Sequence, residues 1–243
     1  MGTTKRRSVI AWVTVVSLTA WAGSAYASPD PVVIAEAVRN LDADHDRAIA
    51  AVYVLQAGGQ RAAMQIRDAW PSLLLLGRKR ALGALRQLAE QHDAAVEALV
   101  EAARSGDEDL RNSALTILQR TKPRGLGGLV SLLPDPVVGD RAASLLARAE
   151  PSFAIEPLLD AIAQPGGADR HGLRSALGTA VQRSNDDSKE RLRGWLSTRP
   201  PAESVASAAM GLASLDEYRN IVASFVEYAA TKTTDFAARW RLL

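Results

Sequence analysis

The sequence predicts an all-α protein in which about seven helical hairpins, the last incomplete, stack into an α-α superhelix. Three observations point there. A short block with a charged opening, a small residue and an aliphatic set recurs: the small residues Ala51, Ala84, Ala114, Ala142, Gly172, Ala208 and Ala238 stand 33, 30, 28, 30, 36 and 30 residues apart. Within each block the apolar residues fall at helical spacing, and a second apolar helix lies between blocks. No run alternates apolar and polar residues long enough to argue for a strand.

Residues 1–27 stand outside this scheme. Lys5, Arg6 and Arg7 form a basic opening, Ser8 to Ala22 is uncharged and largely apolar, and Ala25-Tyr26-Ala27 supplies a small-x-small site before Ser28. This is the layout of a secretory signal, and it predicts cleavage between Ala27 and Ser28. The alternative is an uncleaved anchor, but a spanning helix wants roughly 20 apolar residues and this stretch ends in Gly, Ser and Ala. Arg6-Arg7-Ser8-Val9-Ile10 partly matches a twin-arginine signal, so the general and twin-arginine export routes both stay open. With no Cys, attachment of a lipid through a lipobox is excluded. The expectation is an exported protein, periplasmic or secreted, with no stable membrane insertion after cleavage and with residues 28–243 as its repeat domain.

Removing the signal changes the electrostatics. The chain has 29 Lys and Arg against 27 Asp and Glu, and the signal holds three of the cations and none of the acids. The remainder is close to neutral, so the basic isoelectric point belongs to the precursor and gives no support for nucleic-acid binding. A domain without cysteine in an oxidising space must hold together by packing, which a chain this long can do.

The blocks run in order. DRAIAAVYVL (46–55) opens the series, and QRAAMQIRDAWPSLLLL (60–76) follows as a first helix that Pro71 must break or kink. RALGALRQL (80–88), AAVEALVEAA (94–103) and DLRNSALTIL (109–118) come next. In the last of these, Leu110, Ala114, Ile117 and Leu118 share one face, leaving Arg111, Asn112 and Gln119 for solvent. LGGLVSLL (126–133) and GDRAASLLA (139–147) form another pair, as do AIEPLLDAI (154–162) and DRHGLRSAL (169–177). KERLRGWL (189–196), ESVASAAMGL (203–212), YRNIVASFV (218–226) and DFAARWRLL (235–243) complete the chain. Ser105-Gly106, Pro134-Asp135-Pro136, Pro165-Gly166-Gly167 and Pro200-Pro201 punctuate the turns.

On AIEPLLDAI for a first helix, and on DLRNSALTIL and GDRAASLLA for second helices, the chain resembles the HEAT-repeat proteins, most closely the short-repeat bacterial HEAT-like families. The resemblance covers about residues 32–243 and implies a right-handed solenoid of paired helices. It also implies a proline-kinked first helix at Pro157; the other reading starts that helix near Ile155 and puts Pro157 in its first turn, where the missing N–H costs nothing. The chain stops inside what reads as the second helix of a seventh pair, with Trp240, Leu242 and Leu243 apolar. An end repeat exposes its stacking face. A fragment of a longer protein, or a partner covering that face, is therefore expected.

The candidate sites are few. Asp42, Asp44 and Asp46 alternate as in a calcium loop, but Arg47 and Tyr53 stand where its glycine and bidentate glutamate belong, so helix capping is the expected role. Asp46-Arg47, Asp109 with Arg111, Asp140-Arg141 and Asp169-Arg170 read either as a basic stripe or as an Asp–Arg ladder bridging repeats, a feature HEAT-like proteins share. Each Arg comes with its Asp, which favours the ladder and little net field. His45, His92 and His171 lie more than one repeat apart and offer no zinc spacing, so no metal is expected. No nucleophile elbow, phosphate loop or metalloprotease motif occurs, and Gly125-Leu126-Gly127-Gly128 opens a repeat helix rather than following a strand. Trp70, Trp195 and Trp240 sit singly in distant repeats, as core residues do.

The functional expectation is a non-catalytic scaffold without cofactor that binds a protein or peptide on the concave face formed by the second helices, with Arg111, Arg141, His171 and Arg174 as candidate contacts. The alternatives are the scaffold portion of a longer envelope protein and an enzyme accessory similar to the HEAT-like bilin lyases.

Overall fold

A computed structural model describes residues 29–184 and 187–232. The signal segment with Ala25, Ala27 and Ser28, and the last block with Ala238 and Trp240, lie outside the described residues. The described chain is all-helical, with no strand. Its helices are α1 (Pro31–Asn40), α2 (His45–Ala57), α3 (Gly59–Ala69), α4 (Leu75–Leu88), α5 (Asp93–Ala103), α6 (Glu108–Arg120) and α7 (Arg124–Leu132). They continue as α8 (Gly139–Ala149), α9 (Pro151–Ala163), α10 (His171–Arg183), α11 (Ser188–Ser197), α12 (Ala202–Leu212) and α13 (Arg219–Lys232). None is long and apolar enough to cross a membrane.

Packing follows chain order. Odd helices α1, α3, α5 and α7 pack on one another in file, and even helices α2, α4, α6, α8, α10 and α12 do the same. The odd file changes after α7, because α9 is held chiefly by α8 and α10 rather than by α7. The files meet over one continuous core of Leu, Ala, Ile and Val. A fully buried leucine in it contributes about 1.5–3 kcal/mol, and the core runs across successive hairpins.

The small repeat residues Ala51, Ala84, Ala114, Ala142 and Ala208 are all buried. Gly172 is not their equivalent: it is only the second residue of α10, half-buried, and Ala176 takes the buried middle position. In α6 the buried set is Leu110, Ala114, Leu115 and Leu118, while Ile117 is half-buried. The helix is rotated so that Leu115, one residue after Ala114, turns inward.

Both prolines have clear outcomes. Pro71 ends α3 at Ala69, and a 3-10 turn over Trp70–Ser72 leads to extended residues before α4. Pro157 is the seventh residue of α9, because Pro151 starts the helix; the reading that put Pro157 in a first turn is therefore excluded. Its ring nitrogen cannot donate to the Phe153 carbonyl four residues back.

The aspartate cluster before α2 caps helices, as expected. Asp44 accepts from the Arg47 amide at 3.0 Å at the N-terminus of α2. Asp42 does something different: Oδ2 accepts from the Leu74 amide at 3.2 Å, at the start of α4 in the next pair. Its Oδ1 lies where a Cβ on Gly77 would sit, at 2.0 Å, so only glycine admits this trans-cap. Arg80 closes the same corner by donating to the carbonyls of Leu41 and Ala43 at 2.8 and 2.7 Å.

Candidate functional site

Ion pairs between side chains about thirty residues apart tie neighbouring hairpins together. Arg67–Glu97, Lys79–Asp109 and Asp140–Arg170 are each thirty apart, at 2.9, 3.5 and 2.6 Å. Asp93–Arg124, Lys122–Glu150 and Glu156–Arg191 continue the series. The expected ladder is therefore present at Asp109, Asp140 and Arg170, but not as Asp–Arg throughout. Lys79 takes Asp109, Arg47 pairs locally with Asp44, and Arg111 bonds a backbone carbonyl.

The four candidate contacts fall into two kinds. Arg111 on α6 donates to the Ser105 carbonyl at 3.4 Å, and Arg174 on α10 donates to the Ala168 carbonyl at 2.8 Å, each reaching six residues back. These two half-buried side chains pin the loop before their own helix. Arg141 and His171 are exposed in the first turns of α8 and α10 and make no hydrogen bond or ion pair among the described residues. None of the four lines the groove across α5 or that between α4 and α6.

Two of the grooves among the described residues flank the central helices. On the odd helices, a groove of about 610 Å³ crosses α5 between α3 and α7, with Trp70, Val96 and Val100 on its floor. Its rim charges are closed on themselves: Arg67 pairs with Glu97 and Asp68, Arg124 with Asp93, and Arg104 with Glu101. The hydrogen bonds from Arg67 to Glu97 and then Asp68 hold its guanidinium above the ordinary arginine range.

On the even helices, a groove of about 720 Å³ lies between α4 and α6. Lys79 closes one end, bridging Asp107 at 3.2 Å and Asp109 at 3.5 Å. The hydrogen bond to Asp107 raises the Lys79 ammonium above its usual range. Asp107 is held below the usual carboxylate range, first by the Leu110 amide it caps and then by Lys79. Along the groove a Cβ on Gly83 would make ordinary contact with Val52, at 3.6 Å. Asn112 and Ser113 offer exposed polar side chains. Arg86 and Arg120 face the groove with no intramolecular partner among the described residues, and Glu90 is likewise unpaired there.

These groove residues were missed from sequence. Arg86 stands thirty residues before Thr116, which gives it no acid at the ladder offset; that absence is the signal that could have found it. Arg120 is thirty from Glu90, yet the two form no pair within 4 Å.

His45, His92 and His171 each stand at a helix start, His92 at the N-cap position of α5. No group of three or more metal-ligating side chains occurs among the described residues. Trp70 and Trp195 are buried, Trp195 against Phe225 with ring centroids 5.8 Å apart, as core residues. Comparison with protein-family models, with curated proteins and with solved structures gives no match for this chain.

Proposed function

We propose that this protein is an exported, non-catalytic scaffold, a short-repeat HEAT-like right-handed solenoid that holds a protein or peptide segment on its even helices. The observation that carries the reading is the groove between α4 and α6. Its two arginines are left without internal partners, whereas the charges around the odd-helix groove satisfy one another. Unspent donors beside polar Asn112 and Ser113 suit hydrogen bonds to an extended segment. The near-neighbour packing of helix pairs supports the solenoid, since stacked hairpins present a long continuous surface. Residues 1–27 supply the export signal, and an N-terminus at Ser28 on the exported protein checks that part.

The test is crosslinking from the groove. A photo-reactive residue at Gly83 or Ser113, in the chain recovered from the exported fraction, should capture a protein in stoichiometric yield. Capture of a small or coloured molecule instead, or no capture from either position, would remove the scaffold reading.

A further inference from the structure

We propose that the segment held on the even helices is acidic, an inference that rests on the groove reading above. The overall neutrality of the domain conceals a division of charge between the two helix files. Helices α4, α6, α8 and α10 carry ten Arg and Lys against three Asp and Glu. Helices α3, α5, α7 and α9 carry three against six. Over α4 to α10 the even file therefore carries a cationic excess, whereas the acids of α3, α5, α7 and α9, apart from Asp160, are paired with Arg67, Arg104, Arg124 and Arg191.

The ion pairs leave part of that excess unneutralised. Asp109 is taken by Lys79 and Asp140 by Arg170, which lies outside the even helices. Arg78 and Arg80 are spent on backbone carbonyls, as are Arg111 and Arg174. Arg86, Arg120, Arg141, Arg148 and Arg183 remain without a partner among the described residues, against Glu90 and Glu108. Arg148, six residues past Ala142 on α8 as Arg120 is past Ala114 on α6, adds a further unpaired cation on the helix packed against α6.

Complementary charge is the chemistry such a surface recognises. Arginine forks bind carboxylates bidentately, and Asn112 and Ser113 in the groove can take backbone groups between them. The occupant is therefore a polypeptide segment rich in Asp and Glu that crosses α4 and α6 and continues toward α8.

A labelled peptide of alternating Glu and Ala, titrated into the full chain with its Gln–Ala counterpart as control, tests this. The Glu peptide should bind and weaken as salt rises, while the Gln peptide should bind at least about tenfold more weakly. The double substitution R86E/R120E should lower affinity for the Glu peptide by about tenfold or more, and R39E on α1 by less than about twofold. Far-ultraviolet circular dichroism checks the fold, and R86Q/R120Q replaces the reversal if it unfolds. Equal binding of the two peptides, or no effect of either double variant, would overturn the proposal. Equally tight binding of a single-stranded oligonucleotide that the same variants abolish would overturn it in favour of a general polyanion site. A crosslinked partner whose contacting segment is neutral or basic would end the acidic assignment and leave the scaffold reading standing.

Discussion

Arg170 grips Asp140 with two of its nitrogens, Nε at 2.9 Å and Nη2 at 2.6 Å from the same Oδ1, while its Nη1 donates to the Leu133 carbonyl. The pair locks the start of α10 onto the start of α8. Gly172 makes room for it, since a Cβ there would lie 2.2 Å from Asp140 Cγ.

Gly172→Ala should therefore destabilise the protein by about 1–3 kcal/mol, because the added methyl displaces an aspartate that cannot swing away without leaving Arg170. Urea unfolding would show a lowered midpoint. A midpoint equal to that of the unchanged protein would mean that Asp140 moves freely and that the pair contributes nothing.

Adjacent glycines in α7 should respond in opposite directions. A Cβ on Gly128 would meet Leu118 at 2.8 Å and Val96 at 2.9 Å, whereas one on Gly127 would meet nothing within 4 Å. Gly127→Ala is expected to stabilise by about 0.5–1 kcal/mol through helix propensity and reduced freedom of the unfolded chain. Gly128→Ala should destabilise through overpacking. Thermal melts of the two single variants check the contrast.

Ala142 is fully buried between packed helices, and Gln119 is half-buried on the outer side of α6. Ala142→Arg should destabilise by several kcal/mol through overpacking and a buried charge. Gln119→Arg should be close to neutral. Two urea curves that coincide would remove the core assignment.

Two aspartates should give pH effects of opposite sign. The lowered pKa of Asp107 means the folded state favours its charged form; that stabilisation is present above the ordinary carboxylate range and lost as pH falls through the lowered value. Partial desolvation first, and then Glu156, raise the pKa of the exposed Asp160, so its charge slightly opposes folding at neutral pH and the opposition fades as pH falls through the raised value. Asp107→Asn should lower the urea midpoint at neutral pH, Asp160→Asn should raise it, and both differences should shrink in acid. Differences that stayed constant from neutral pH into acid would show that charge is not their source.

The helices were legible because their cause is local. Apolar spacing marks α6 and α8, proline ends α3 at Ala69, and aspartate before α2 caps it through Asp44. Each of these depends on residues within a few positions of one another. Even so, local spacing misplaced Ile117 and Gly172, since a helix face is wide and the neighbouring file decides which residues of it turn inward.

From sequence alone came the all-helical class, the roughly thirty-residue period and the expectation that charged residues would bridge hairpins. Which charges bridge was settled only in three dimensions: Asp42 reaches α4 rather than its own helix, Lys79 takes Asp109 from Arg111, and Arg86 and Arg120 are left over at a groove. The physical reason is range. A hydrogen-bonded helix is written within four residues, whereas an ion pair across thirty depends on how two helices lie side by side, which no short stretch of chain contains.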